Sequence, residues 1–144
     1  MRQFLYGVLL CLACSVNAKQ FGNVYVSQVV SVYDADTFRV NLQNFPDIAG
    51  KNMPIRVNGV DAPEIRGKCT YEKALAKKAK AFAQALLLNA KEIELKNMQR
   101  GKYFRFIADV YIDGKNLANL LIEHNLARPY QGGKRQSWCN QQTE

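Results

Sequence analysis

Along much of this chain apolar residues alternate with polar ones, but between Thr70 and Asn89 they switch to helical spacing. Few folds accommodate that succession of periods. Val24–Val32 is rich in β-branched and aromatic residues and reads as a strand, closed by the turn-forming Tyr33-Asp34-Ala35-Asp36. Thr37–Leu42 and Pro54–Val60 alternate as a second and third strand, separated by a loop over 44–52 that carries Pro46 and Gly50. In the helical stretch Leu75, Ala79, Phe82, Ala83, Leu86 and Leu87 share one face, and Lys73, Lys77, Lys80 and Gln84 lie on the other as a solvated surface. A fourth strand contains Ile93-Glu94-Leu95, and a fifth runs over Phe104–Ile112 to a tight turn at Asp113-Gly114. Leu117, Leu120 and Leu121 then mark a short helix that Asn125 is placed to end. The order β-β-β-α-β-β-α predicts an α+β protein built on a five-stranded OB-fold β-barrel with helices.

The N-terminus stands outside that pattern. Arg2 precedes an apolar run, Phe4–Ala13, that is shorter than the ~20 residues needed to span a bilayer, and Val16-Asn17-Ala18 supplies small residues for cleavage. Residues 1–18 are therefore expected to be a cleaved signal peptide, leaving a domain over 19–131 and a tail over 132–144. An interfacial or buried helix, or a lipoprotein signal ending at Cys14, are the other readings of the segment. The expected location is the periplasm or the medium, with no stable membrane insertion and a monomeric mature chain. Losing Arg2 and no acid lowers the net charge from +8 to +7, a balance that favours polyanions such as nucleic acid. Cleavage also leaves only Cys69 and Cys139, an even pair in an exported protein, so a disulfide is expected between them. Closing a loop of ~70 residues contributes about 4 kcal/mol in the chain-entropy model. Two cysteines and the lone His124 do not make a zinc site.

Acids and arginines collect at the ends of the expected strands: Asp34 and Asp36 after the first, Arg56 within the third, Asp61 and Glu64 after it, and Arg105 early in the fifth. Phosphodiester hydrolysis needs carboxylates for a hard divalent cation, a further carboxylate to activate water, and planar guanidinium groups to match phosphate. Asp36, Asp61, Glu64, Arg56 and Arg105 contain each of those parts. Singly, each also has an ordinary reading, as a turn cap or a solvated face.

Four segments, in order, resemble the staphylococcal nuclease (thermonuclease) family. Val32-Tyr33-Asp34-Ala35-Asp36-Thr37 looks like its V-x-D-G-D-T motif, and Arg56–Glu64 (RVNGVDAPE) like its R-L-x-x-[VI]-D-[TA]-P-E motif. Lys102-Tyr103-Phe104-Arg105 resembles D-K-Y-G-R, and Gly114–Ala127 resembles its D-G-x-x-[VL]-N-x-x-L-[VI]-x-x-G-L-A helix. The resemblance implies a Ca²⁺-dependent nuclease acting on DNA, RNA or both, with Mg²⁺ open because it takes the same oxygen donors. It implies that Asp36, Asp61 and the Ala62 carbonyl hold the metal, that Glu64 activates water, and that Arg56 and Arg105 grip the phosphate. Lys102 and Tyr103 resemble residues that contact a neighbouring phosphate, and Tyr130 falls near the base-stacking wall.

Ala35, Phe104 and Asn125 stand where the family has glycine, and Gly132–Cys139 stands in place of a long C-terminal helix. A Cys69–Cys139 bridge is expected to compensate for that missing packing, with residues 130–144 running over the surface and Trp138 packed near the tail. The alternative from another class is a non-hydrolytic OB-fold module that binds single strands through basic grooves and aromatics.

Overall fold

The computed structural model of the chain describes residues 22–141; the expected signal peptide and residues 142–144 lie outside them. In chain order the elements are β1 (Val24–Asp34), β2 (Thr37–Leu42), the single turn α1 (Asp47–Gly50), β3 (Met53–Val57), β4 (Val60–Asp61) and α2 (Thr70–Asn89). After these come β5 (Ile93–Arg100), β6 (Phe106–Ile112), β7 (Lys115–Asn116), α3 (Leu117–Glu123), β8 (Arg128–Pro129) and a 3₁₀ turn over Cys139–Gln141. None of the helices among the described residues is long and apolar enough to cross a membrane.

β1, β2, β3, β5 and β6 form the closed five-stranded barrel expected from the order of elements. β1 pairs antiparallel with both β2 and β5, β2 with β3 and β5 with β6, and β3 runs parallel to β6 to close the ring. Three register irregularities along β1 bend it, so that one strand serves two neighbours around a tight curve. Alternation then puts Phe38, Val40, Ile55, Val57, Leu95, Ala108 and Val110 inside.

Helix α2 lies on the barrel through Ala76, Ala79, Ala83 and Leu87, small residues that let backbone approach sheet, with Phe82 and Leu86 packed at the flank. The expected lysines do face outward, but Glu72 joins the buried stripe, which the apolar pattern did not foreshadow. The side chain of Asn116 caps α3 by accepting from the Asn119 N–H, and Asn125 adopts the left-handed φ of 57° that a helix terminus needs.

Two strand boundaries differ from expectation. The third strand stops at Val57, turns through Asn58 and Gly59 (φ 79°), and resumes as β4, which leaves the barrel to pair with β8. The fifth begins at Phe106, because Tyr103 and Phe104 both hold positive φ, 58° and 54°, and cannot extend a strand. Ala35, by contrast, is outside the left-handed region and fully buried, so its methyl carries no backbone strain.

Leu95 is wholly buried on β5, opposite Val24 on one side and Val110 on the other. Leu95→Ala should lower unfolding free energy by about 2–5 kcal/mol in a urea titration; a loss below ~1 kcal/mol would mean that the barrel interior is not packed as described.

Candidate active site

Arg56 reaches the barrel mouth from β3, and its guanidinium is nearly covered. Nη1 lies 2.7 Å from Asp36 Oδ1, and Nη2 donates to the Val60 carbonyl at 3.2 Å and lies 3.6 Å from Asp61 Oδ1. Asp36 sits in the turn between β1 and β2, with its side chain 1% exposed. The Thr37 hydroxyl donates to Asp36 Oδ1 at 2.9 Å, the Ala62 N–H donates to Oδ2 at 2.8 Å, and the Val57 N–H donates to the Asp36 carbonyl. The hairpin tip is thus tied to β3 and to the segment that follows β4. Next to it Asp34 is buried too, its Oδ1 accepting from the Ile65 N–H at 2.9 Å. Burial pushes the carboxyls of Asp36 and Asp34 above their ordinary range, outweighing Arg56 in the first case and the Ile65 N–H in the second.

Asp61 on β4 is buried, and Glu64 beyond it is half-exposed. A third arginine, which the sequence reading did not single out, joins them. Arg135 Nε lies 3.1 Å from Asp61 Oδ1, and its Nη1 donates to Glu64 Oε1 at 2.6 Å. These acids, with Asp36, hold the Arg135 guanidinium above its usual value although burial works against the charge. None of the N–H groups around Asp61 Oδ1 is aligned with it, so this buried oxygen is left without a hydrogen bond. The other oxygen, Oδ2, accepts from Trp138 Nε1 at 3.3 Å.

The tail therefore does more than cross the surface. β8 pairs with β4, setting Arg128 opposite Asp61, and the Tyr130 N–H bonds to the Gly59 carbonyl. Beyond it Trp138 is buried under the Arg128 guanidinium, which stacks 3.6 Å from its ring centroid, and Cys139 forms the disulfide with Cys69. A cleft of about 880 Å³ opens between this tail and the loop after β4, lined by Asp61, Glu64, Arg66, Lys68, Lys134 and Arg135 among others.

Arg105 stands across the mouth, partly buried, with Nε enclosed and without a hydrogen-bond partner. It shares a smaller cavity, about 300 Å³, with Arg56, Tyr130 and Arg135. The Tyr130 hydroxyl donates to the Gly133 carbonyl at 2.7 Å, and its ring lies under Arg135. Lys102 and Tyr103 are in the exposed turn between β5 and β6, Tyr103 being 92% accessible. Asp36, Arg56, Asp61 and Ala62 are thus connected through direct contacts, Glu64 joins them through Arg135, Arg105 and Tyr130 adjoin them across a cavity, and Lys102 and Tyr103 lie in the turn leading to Arg105. The three acids do not close to within 4.8 Å of one another; guanidinium groups lie between them. Among the described residues the three-donor cluster that does close is Cys69, Glu72 and Cys139, whose two sulfurs are bonded to each other.

Glu72 was also missed. Its Oε1 accepts from the Glu64 N–H at 3.3 Å and its Oε2 from the Lys68 N–H at 3.0 Å, so the first turn of α2 holds the loop that presents Glu64. Gly67 makes room for it, since a Cβ there would run into the Glu72 carboxyl. An acid in register with Ala76, Ala79 and Ala83 was the available signal. For Arg135 the signal was the bridge: if Cys139 bonds to Cys69, the tail must pass the loop that carries Glu64.

Residues 54–144 match the family described as staphylococcal nuclease homologue. The chain is also similar to the protein named Endonuclease YncB of Bacillus subtilis (strain 168), with 32% identity over 121 residues. That alignment covers 79% of this chain and 51% of the relative, so the chain spans about half the length of the curated relative it matches.

Glu72→Ala removes the acceptor of two loop N–H groups. Stability should fall by about 1–3 kcal/mol, and the amides of Glu64 and Lys68 should exchange with deuterium faster while those of β5 and β6 keep their protection. Unchanged exchange at both loop amides would show that Glu72 does not anchor the loop.

Proposed function

The chain belongs to the staphylococcal nuclease family, and on that premise we propose that it is an exported, cation-dependent nuclease that hydrolyses phosphodiester bonds of DNA, RNA or both. The observation that carries the proposal is the buried Asp36–Arg56–Asp61 arrangement beside the half-exposed Glu64, with Arg105 facing it across a cavity. An expensive set of buried charges at a barrel mouth is what a site for a polyanion and a hard cation requires.

The donors fit a divalent metal. Asp61 Oδ1 is a buried acceptor without an aligned donor, Asp36 is a neighbouring hard oxygen donor, and the Ala62 backbone is tied to Asp36. Asp36, Asp61 and the Ala62 carbonyl would hold Ca²⁺, or Mg²⁺, which takes the same oxygen donors; when bound it supplies positive charge for the phosphoryl oxygens. Glu64, on a loop and half in solvent, accepts the proton of the attacking water. Arg56 and Arg105 bind the phosphate, and their planar forks stabilise the charge that develops on it. The unpaired Nε of Arg105 supports that assignment, since a buried donor without a partner gains most from an anionic ligand. Lys102, Tyr103 and Tyr130 extend the substrate path on either side of Arg105. The expected leader peptide places the mature monomer in the periplasm or the medium, where its oxidised cysteine pair is at home.

Purified protein incubated with single- and double-stranded DNA and RNA should cut with Ca²⁺ present and stop on chelation. Glu64→Gln should lose about 10²–10⁴-fold in kcat, and Arg105→Ala about 10²–10³-fold, both with unchanged circular dichroism. Salt-sensitive binding with no cutting in any cation would instead identify a non-hydrolytic nucleic-acid module.

A further inference from the structure

The reaction just described leaves Arg135 without a part, yet its guanidinium stands among the groups that carry it. It contacts Asp61 Oδ1 at 3.1 Å and Glu64 Oε1 at 2.6 Å, the side chains assigned above to the cation and to the water. The cation assigned above would share Asp61 Oδ1 with this guanidinium, and two positive charges on one carboxylate oxygen repel each other. The same side chain also occupies Glu64 Oε1 through a charge-assisted hydrogen bond, on the carboxylate assigned to the water.

Where the side chain can go is limited. Arg135 lines both the large cleft and the smaller cavity that holds Arg56 and Arg105, and so stands between them. Its segment is anchored on one side by the Tyr130–Gly59 backbone bond and on the other by the Cys69–Cys139 bridge. Gly132 and Gly133, at φ 97° and 86°, provide a swivel between those anchors. A guanidinium displaced from the acids thus stays beside the arginines that grip phosphate.

We propose that Arg135 is a further phosphate-binding residue: it neutralises Asp61 and Glu64 until the divalent cation takes its place, and then turns to the substrate phosphate beside Arg56 and Arg105. This rests on the nuclease reading above. The arginine keeps the acidic cluster from standing uncompensated when no cation is bound, and the incoming cation frees a fork whose shape suits a phosphate. The disulfide keeps the segment that carries Arg135 beside the acids.

The test uses the oxidised protein and its Arg135→Gln and Arg135→Lys variants. The Arg135 side chain is 40% exposed, so neither change opens the core, and thermal melts verify folding. Calcium affinity is measured by calorimetry without nucleic acid, and KM and kcat on single-stranded DNA at fixed ionic strength. Arg135→Gln should bind calcium about three- to tenfold more tightly while KM rises by about the same factor. Arg135→Lys, which keeps the charge but not the fork, should stay within about twofold of wild type in calcium affinity and fall between the two in KM. Unchanged or weaker calcium binding by folded Arg135→Gln overturns the exchange, and an unchanged KM overturns phosphate binding, with the nuclease reading intact in both cases. A wild type that neither binds calcium nor cuts removes the nuclease reading and this proposal with it.

Discussion

A guanidinium buried at the mouth of the barrel organises the rest of the site. Arg56 extends from β3 into a space enclosed by the β1–β2 turn and by β4, and a charge in that position is tolerated only if opposite charges meet it. Asp36 and Asp61 meet it from two sides, 2.7 Å and 3.6 Å away. Their backbones are constrained in turn: the Asp36 carbonyl accepts from Val57, and the Asp36 carboxylate accepts from the Ala62 N–H. Three chain segments are held by one ion cluster, and the same cluster fixes two carboxylates at the mouth. The cost of burying these charges is met by the barrel, whose closure through the parallel β3–β6 pair fixes where Arg56 points.

The tail completes what the barrel begins. The best-known members of the family resembled carry a long C-terminal helix; here, among the described residues, the stretch from Gly132 to Trp138 is irregular and a 3₁₀ turn over Cys139–Gln141 follows. Its attachment is made by other means: the β4–β8 pair, the buried Trp138 with its Nε1 on Asp61, Arg128 stacked on that ring, and the bridge to Cys69. Because the bridge ends in the loop between Glu64 and α2, the tail has to cross the acidic cluster. One covalent bond thus serves both stability and the placement of Arg135. Glu72 stiffens the same loop from beneath.

Where local pattern and structure part, the deciding surroundings of Arg56 and of β4 come from segments far along the chain, and those of Phe104 from its own turn. Arg56 read alone as a strand arginine facing solvent, because nothing within β3 shows that two aspartates enclose it. Pro54–Val60 read as one strand because its period holds through Val60, yet the break at Asn58-Gly59 lets β4 leave the barrel for β8, a partner not identifiable by period. Phe104 read as the start of a strand by composition, while its backbone is left-handed and its ring lies against Arg100.

What the sequence determined by itself was the order and type of the main elements, the glycine, asparagine and aspartate turns between them, and the kinds of side chain available for chemistry. Those are set by periodicity and by local backbone preference, which act over a few residues. Tertiary structure alone decided which charges are buried, that Asp36 and Asp61 share Arg56, and that Arg135 rests on Asp61 and Glu64. Desolvation and ion pairing depend on what lies across a few ångströms of space, and barrel closure and the disulfide bring together groups that the chain keeps far apart.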